Sequence, residues 1–296
     1  MSDHRPRRSV LYMPGANERA LDKARSLPAD ALILDLEDAV APDAKEAARN
    51  QVAATVRQGG YGAREVVIRI NGSDTPWGAA DMEMAVSVRP DAILVPKINT
   101  PENIRRTSDA MTQVGAETDL PLWVMMETPR AMLNAAAIAH EAESKNARLS
   151  VFVMGTNDLV KEIGATHTPE RTSVLGALSH CLLAARTSGL CILDGVYNDI
   201  KDEAGFEAVC QQGADMGFDG KTLIHPSQIV TCNRIFSPDE QEVSEARAIL
   251  AAFDKPENAG KGVLSVDGRM VELLHADMAR RIVAIADTIA ALEGES

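Results

Sequence analysis

Short apolar segments recur eight times between residues 9 and 224, and the segments between them space their apolar residues as helices do. The candidate strands are Ser9–Met13, Ala31–Leu36, Val66–Ile70, Ala92–Val95, Leu122–Met126, Ser150–Met154, Leu190–Leu193 and Phe218–Ile224. Most are uniformly apolar and rich in Val, Ile and Leu, which is typical of parallel strands covered by helices. Asn17–Leu27 and Asp43–Arg57 show helical spacing, and Pro42 before the second is a helix start signal.

This alternation of strand and helix predicts an α/β protein with a (β/α)8 TIM barrel. A doubly wound open sheet is the alternative. A dinucleotide-binding sheet would carry G-x-G-x-x-G after its first strand, whereas Met13-Pro-Gly-Ala16 predicts only a turn.

The tail departs from this repeat at about Ser237. It predicts an amphipathic helix at Pro238–Ala252, a small hairpin at Gly262–Gly268 and a long final helix at Val271–Leu292. We therefore expect a TIM-barrel catalytic domain at residues 1–236 and a C-terminal helical lid or oligomerisation segment at residues 237–296.

Composition excludes some classes of partner. The net charge of −13 argues against nucleic acid as the main partner. No stretch approaches the ~20 apolar residues that span a bilayer, and no apolar run of signal-peptide length follows the basic N-terminus. The four cysteines lack C-x-x-C spacing, so we expect reduced thiols in a cytoplasmic protein.

Charged residues collect where the candidate strands end. In order along the chain, the strand ends and following loops carry Tyr12 and Pro14, then Asp35, Glu37 and Asp38, then Arg69, Lys97, Glu127, Asp158, Asp194, Lys221 and His225. In a barrel these positions surround the active site. So many charges at one mouth are costly unless they are ligated or paired, and we expect a functional site rather than structural ion pairs alone.

Glu127 and Asp158 follow two separate buried strands, and two carboxylates of this kind suit Mg²⁺, with Mn²⁺ as a substitute. The alternative is that they only cap helices. Glu37 and Asp38 are placed to accept hydrogen bonds from metal-bound water. Arg69 is placed to stabilise a developing enolate or to bind a carboxylate.

Lys97 leaves two hypotheses open. A lysine on a barrel strand can form a Schiff base with a carbonyl substrate. An ion pair with a carboxylate at the mouth is the simpler interpretation.

Several motifs resemble one known family. They are Arg8-Ser-Val-Leu-Tyr-Met-Pro-Gly-Ala-Asn17, Leu34-Asp-Leu-Glu-Asp-Ala-Val-Ala-Pro42, Val67-Ile-Arg-Ile-Asn71, Pro96-Lys97, Glu127 and Lys221-Thr-Leu-Ile-His-Pro226. The chain resembles, over nearly its whole length, the citrate lyase β-subunit-like branch of the HpcH/HpaI aldolase superfamily, which includes malyl-CoA and citramalyl-CoA lyases. The resemblance implies a TIM barrel, Mg²⁺ and an acyl-CoA substrate.

The resemblance also implies roles for individual residues. Glu127 and Asp158 match the metal ligands, Arg69 matches the arginine beside the reacting carbonyl, and Tyr12 and Lys23 match residues that contact CoA. Two positions depart from the family pattern. Asn17 stands where some members have a CoA-contacting arginine, and Glu272 stands where several lyases carry a lid aspartate that reaches a neighbouring subunit.

The resemblance leads us to expect a Mg²⁺-dependent lyase that cleaves a β-hydroxyacyl-CoA into a 2-keto acid and acetyl-CoA or propionyl-CoA through an enolate. Arg69 would stabilise the enolate, and Glu272 would transfer a proton. The first alternative is a malyl-CoA thioesterase at the same site, which the longer Glu272 side chain keeps open. A class I aldolase using Lys97 and a non-catalytic subunit are the others.

Assembly is the last expectation. The tail carries apolar residues that the barrel core does not require, among them Ile249, Leu250, Leu273 and Leu274. Glu272 follows a Gly-rich segment far along the chain from the mouth acids, so a hinge or a neighbouring subunit must bring it there. We expect a homo-oligomer, a trimer or hexamer, with the lid of one chain over the barrel of another.

Overall fold

Eight parallel strands close into a barrel. The strands are β1 (Ser9–Pro14), β2 (Ala31–Asp35), β3 (Glu65–Arg69), β4 (Ala92–Val95), β5 (Leu122–Met126), β6 (Leu149–Met154), β7 (Cys191–Asp194) and β8 (Gly220–Leu223). Each strand pairs in parallel with the next along the chain, and β8 pairs with β1, so the sheet has no edge. The TIM barrel prediction is confirmed, and the open doubly wound sheet is excluded.

The computed structural model describes residues 5–144, 146 and 148–294. The chain divides into two units. One spans Arg7–Arg234 and holds the barrel. The other is formed by the described residues before Arg7 together with those from Ile235 onward.

Helices follow the strands in the barrel unit. They are α1 (Glu18–Ala24), α2 (Lys45–Gln58), α3 (Gly78–Val88), α4 (Pro101–Gln113), α5 (Pro129–Leu133), α6 (Ala135–His140), α7 (Thr156–Glu162), α8 (Leu175–Thr187), α9 (Glu203–Met216) and α10 (Ile229–Ile235). Side-chain caps fix several starts: Asn17 accepts from the Ala20 N–H, and Thr100 forms a capping box with Asn103.

The strand boundaries differ from the predicted ones most at β8. We predicted a strand from Phe218, but the chain there still ends helix α9. Gly217 takes a left-handed conformation (φ 99°), and the Phe218 N–H bonds to the carbonyl of Gly213 at 3.0 Å, which is a helix-terminating motif. The strand therefore begins only at Gly220.

Alternate residues of the strands fill the barrel. Interior side chains include Val10, Ile33, Val67, Leu94, Trp123, Val151 and Leu193. At the amino end of the strands, Arg7 bonds Glu65 at 2.6 and 2.8 Å and lies 5.2 Å from the ring centroid of Trp123. This end is thus closed by packed and paired side chains, which leaves the carboxyl end for chemistry.

The two ends of the barrel unit are in contact. The Cys232 thiol donates to the Arg8 carbonyl at 3.1 Å, and the Asn233 amide donates to the Pro28 carbonyl at 2.8 Å. Helix α10 is thereby held against the first strand.

Asp194 and Lys221 do not face the mouth, so the expectation that they belong to the site is wrong. Leu193 and Thr222 point into the barrel or its cavity, and strand side chains alternate, so their neighbours Asp194 and Lys221 point outward to the helices. Both are fully buried. Asp194 accepts from Lys221 at 2.8 Å and from Arg171 at 2.7 Å. Although burial opposes its charge, these two cations lower the pKa of Asp194.

The second unit contains two helices and a hairpin. They are α11 (Glu240–Phe253), β9 (Val263–Val266), β10 (Arg269–Glu272) and α12 (Leu273–Gly294). Asp267 and Gly268, both with positive φ, form the hairpin turn, as an Asp-Gly pair favours. The hairpin is longer than predicted, because residues 269–272 pair with β9, and the final helix therefore starts at Leu273. None of the helices in the described residues is long and apolar enough to cross a membrane.

Asp194→Ala tests the buried ion cluster. The change leaves Lys221 and Arg171 buried without their carboxylate, so we expect the free energy of unfolding to fall by about 3–5 kcal/mol. The control is Asp287→Ala, which removes an exposed partner of Arg247 and should leave stability nearly unchanged. Urea denaturation measures both, and an equal loss in the two variants would contradict the assignment.

Candidate functional site

A cavity of about 310 Å³ opens at the carboxyl ends of the barrel strands. Its lining comprises Tyr12, Asp35, Asp38, Ala39, Arg69, Met125, Glu127, Met154, Gly155, Thr156, Asn157, Asp158, Val196, Thr222 and Ile224. Six residues predicted at the mouth thus surround one space: Tyr12, Asp35, Asp38, Arg69, Glu127 and Asp158. The side contributed by β7 and β8 is uncharged, and the acids lie at the end of β2 or in the segments that follow β2, β5 and β6.

Asp35 and Arg69 form a paired charge inside the mouth. They are register partners on β2 and β3, and Asp35 accepts from Arg69 Nε and Nη2, both at 2.6 Å. Asp35 also accepts from the N–H groups of Glu37 and Ala39, at 2.9 and 3.1 Å. One buried carboxylate therefore orients the arginine and shapes the turn that carries Glu37 and Asp38.

Arg69 has more N–H donors than its contacts with Asp35 and Glu37 use. Although burial opposes its charge, Asp35 raises the pKa of Arg69 well above its usual value, so it stays protonated. The guanidinium lies 4.8 Å from the ring centroid of Tyr12. Of its five N–H groups, two bond Asp35 and one faces Glu37, which leaves donors for a ligand in the cavity.

Glu37 has an unsatisfied oxygen. Its Oε2 lies 2.8 Å from Arg69 Nη1, which is ion-pair distance, but the angle is not that of a hydrogen bond. The residue is 8% exposed, and in the described part of the chain Oε2 has no hydrogen-bond partner. Burial, opposed by Arg69 and reinforced by Asp38 and Asp35, raises the pKa of Glu37 to about 7.

Glu127 is held by backbone. Its Oε1 accepts from the Lys97 N–H at 2.6 Å. A Cβ on Gly155 would lie 2.4 Å from the Glu127 Cβ and 2.8 Å from Oε2, so only glycine leaves room for this side chain. Burial, together with the nearby charge of Glu37, raises the pKa of Glu127 to about 7.

Neither acid caps its helix. Thr128 caps α5 by accepting from the Ala131 N–H at 3.0 Å, and Glu127 precedes it. Gly155 is the cap residue of α7, and Asp158, half-buried, lies in the first turn. The helix-capping alternative therefore does not explain either carboxylate, and both remain available as ligands.

Lys97 contributes through its backbone. Its φ of 54° is left-handed, which is uncommon for a residue other than glycine, and this conformation accompanies the N–H bond to Glu127. Although burial opposes the charge, Glu37, Asp158 and Glu127 raise the pKa of the exposed Lys97 amine. A Schiff base requires a neutral amine, so this environment disfavours the class I aldolase hypothesis.

The remaining predicted residues, Glu37 among them, lie outside the cavity lining. Pro14 ends β1 and Lys23 is exposed on α1, while Asn17 caps that helix. His225 accepts from the Ser227 N–H and caps a short turn. Glu272 ends β10 in the other unit and is exposed. The roles of these residues, like those of the residues that line the cavity, stay predictions.

The donor set fits a magnesium ion. The described residues contain no group of three or more His, Cys, Asp or Glu placed to hold a metal. Mg²⁺ does not require one, because one or two carboxylates with water and substrate oxygens suffice. Two buried acids with raised pKa values and the unsatisfied Glu37 oxygen together mark a place where a cation with bound water would relieve excess negative charge.

Residues 8–226 match the HpcH/HpaI aldolase/citrate lyase family. The chain belongs to this family. The resemblance inferred from the sequence motifs is therefore confirmed, and family membership supports an enzyme of CoA-ester lyase ancestry.

Relatives and solved structures match nearly the whole chain. A (3S)-malyl-CoA thioesterase of Cereibacter sphaeroides is 51% identical over 286 residues, which are 97% of this chain and 96% of that protein. A mitochondrial citramalyl-CoA lyase of Rattus norvegicus is 33% identical and covers 98% of this chain and 89% of that protein. The crystal structure of protein CitE from Mycobacterium tuberculosis, in complex with magnesium, acetoacetate and coenzyme A, matches with a TM-score of 0.73 at 26% identity, covering 96% of this chain and 99% of that chain.

Sequence reasoning missed the residues that support this family site. Gly155 and the Lys97 N–H hold Glu127, and a buried Lys45 lies under the turn that carries Glu37. A glycine after a strand is a visible signal for close backbone approach. Lys45, at a helix start, has the local pattern of a solvated residue and gives no such signal.

Gly155→Ala tests the packing of Glu127. The added methyl has no space, so we expect the free energy of unfolding to fall by about 1–3 kcal/mol. Gly176→Ala is the control, because nothing lies within 4 Å of its Cβ position in α8. There alanine should stabilise by roughly 0.5–1 kcal/mol. Changes of the same sign in both variants, measured by urea denaturation, would count against a packed Glu127.

Proposed function

We propose that the chain is a Mg²⁺-dependent enzyme acting on a β-hydroxyacyl-CoA of the malyl-CoA type. The observation that carries the proposal is one cavity holding Glu127 and Asp158 beside the preorganised Arg69. Mg²⁺, or Mn²⁺ in its place, held by these two carboxylates, would supply a Lewis acid and a template for the carboxylate of the substrate and for its hydroxyl oxygen, which becomes the keto oxygen in cleavage.

Hydrolysis of the thioester is the reaction we propose first. The malyl-CoA thioesterase relative at 51% identity supports it and reverses the order of the two hypotheses drawn from the sequence. Cleavage to glyoxylate and acetyl-CoA, or to the corresponding products of methylmalyl-CoA and citramalyl-CoA, is the second candidate. The citramalyl-CoA lyase relative supports that alternative.

In both reactions, negative charge develops on the carbonyl oxygen of the thioester. Arg69 has free N–H donors, and its contacts with Asp35 fix their direction before substrate arrives. Glu37 and Asp38 would accept hydrogen bonds from water at the metal. Glu272 would take a proton from the attacking water in hydrolysis, or give one to the enolate carbon in cleavage. The CoA moiety lies at the β1–α1 turn, with Tyr12 and Pro14 beside it and Lys23 near a phosphate.

Lys23→Ala should then raise KM for the thioester more than it lowers kcat.

The products decide between the two reactions. Purified protein is incubated with malyl-CoA and Mg²⁺, and free thiol, malate, glyoxylate and acetyl-CoA are measured. Hydrolysis gives CoA and malate in equal amounts without glyoxylate. Cleavage gives glyoxylate and acetyl-CoA in equal amounts. If malyl-, methylmalyl- and citramalyl-CoA all remain intact, the proposed function is wrong.

Glu127→Gln and Asp158→Asn should abolish metal-dependent turnover while leaving the barrel folded, because an amide oxygen carries no charge for Mg²⁺. Chelation by EDTA should do the same to the wild type. Since the pKa of Glu127 is about 7, protons compete with the ion, and Mg²⁺ affinity measured by calorimetry should weaken as pH falls below about 7. Full turnover in EDTA would refute the metal site.

Arg69→Lys should lower kcat roughly 10²–10³-fold, because lysine keeps the charge but loses the fork that spans Asp35 and the cavity. Steady-state kinetics measures the change. Arg7→Lys is the matched control, since Arg7 forms the same two-pronged contact with Glu65 at the opposite end of the barrel, away from the cavity. An Arg69→Lys variant with nearly unchanged kcat would make the arginine purely structural.

The subunit arrangement is also proposed here: a homo-oligomer, trimer or hexamer, in which Glu272 of one chain completes the site of another. Inactive Glu272→Ala and inactive Asp158→Ala proteins are mixed under conditions of demonstrated subunit exchange. Activity should partly return, because some sites regain both groups. Absence of recovery after exchange would refute the shared site.

A further inference from the structure

A buried lysine lies beneath the turn that carries Glu37. Lys45 begins α2, is 6% exposed and donates three hydrogen bonds. They go to the carbonyls of Leu36 and Glu37, at 2.8 and 2.7 Å, and to Asn71 Oδ1 at 2.8 Å. All three ammonium protons are thereby used, and two of them are donated to the carbonyls of consecutive residues in one turn.

Further hydrogen bonds hold Asn71, one of the acceptors of Lys45, in place. The Asn71 amide donates to the Leu36 carbonyl at 2.9 Å and to Asp81 Oδ2 at 2.6 Å. Asp81 is fully buried and accepts from Arg49 at 2.6 Å on its other oxygen. The turn is therefore tied through Asn71 to the start of α3 and through Lys45 to the start of α2.

The cation is a costly choice for this position. In the described residues Lys45 forms no ion pair. Its hydrogen-bond partners are neutral oxygens, and its Nζ lies 5.3 Å from the ring centroid of Trp77. Burying an ammonium without a carboxylate carries a desolvation penalty, which also lowers the pKa of Lys45. A side chain that only filled space would avoid this cost, so the three donated bonds must serve the turn.

The turn places Glu37 beside the cavity, with its Oε2 2.8 Å from Nη1 of Arg69, which lines the cavity. Asp35 fixes its N–H groups from the barrel side, and Lys45 fixes its carbonyls from the helix side. Glu37 Oε2 has no hydrogen bond within the described residues, only the ion pair with Arg69, so the position of this carboxylate depends on the backbone that Asp35 and Lys45 hold.

We propose that Lys45 is a positioning residue that acts through Glu37, holding its carboxylate towards the reacting substrate and metal-bound water. The inference rests on the proposed function. Losing an outer support of this kind typically costs roughly 10–100-fold in activity. A residue that serves only folding would lower stability without acting through Glu37.

A double-mutant cycle on kcat tests the coupling. Lys45→Met and Glu37→Gln should each lower kcat, and the double variant should be no worse than the more damaged single variant. KM for the acyl-CoA should change little in Lys45→Met, because the CoA-binding turn is elsewhere. If the two effects multiply, or if Glu37→Gln leaves kcat unchanged, the inference is wrong.

Arg148→Met is the matched control. Arg148 is also 6% exposed and clamps loop carbonyls, those of Glu117, Ala116 and Leu120, before β5 at the opposite end of the barrel. It should lower the melting temperature as Lys45→Met does, but leave kcat unchanged. Its effects should multiply with those of Glu37→Gln.

Hydrogen–deuterium exchange gives a measurement without substrate or metal. Amides of residues 36–40 should exchange faster in Lys45→Met and at the wild-type rate in Arg148→Met. Unchanged exchange in Lys45→Met would overturn the inference. Lys45→Gln, which retains two N–H donors, replaces Lys45→Met if that variant does not fold. A wild type without turnover of any tested CoA thioester refutes the proposed function and the inference with it, whereas an active wild type with multiplicative effects refutes the inference alone.

Discussion

The buried pair of Asp35 and Arg69 is the interaction on which the mouth of the barrel depends. Parallel pairing of β2 with β3 places the two residues side by side, and both point into the barrel. Each charge would be unfavourable if it were buried alone, so neither side chain can move away without leaving the other charge unpaired. The same carboxylate fixes the turn after β2, and the same guanidinium stacks on Tyr12. This one ion pair thus links side chains of the three consecutive strands β1, β2 and β3 before any ligand binds.

The sequence predicted the barrel well because its strands are buried on both faces. Uniform apolar runs such as Leu122–Met126 leave little choice of structure, and their order along the chain is also their order in the sheet. The gathering of Arg69, Glu127 and Asp158 follows from this topology, because the carboxyl ends of parallel strands meet at one end of a barrel. Proximity to a strand end was therefore enough to find residues whose side chains also face inward.

The same reasoning failed where the direction of a side chain decides whether the residue belongs to the cavity. Asp194 and Lys221 also stand near strand ends, but they lie one position out of phase with the interior residues. Behind the sheet they pair with each other, and Asp194 also pairs with Arg171. Lys45 was missed for a different reason. Its burial depends on Leu36, Glu37 and Asn71, which meet it only when separate strands and helices pack. No local periodicity encodes such contacts, because a lysine at a helix start has the same pattern whether solvated or enclosed.

The contact between Cys232 and the Arg8 carbonyl has a topological consequence. It brings the last helix of the barrel unit against its first strand, so the two chain segments that bound this unit are neighbours. Chain ends that lie close together are what circular permutation requires. A short Gly-Ser linker could join the two segments, and new termini could be cut into a loop at the amino end of the strands. The break in the backbone would then lie on the face opposite the cavity, and the seam between β8 and β1 would become a continuous covalent connection.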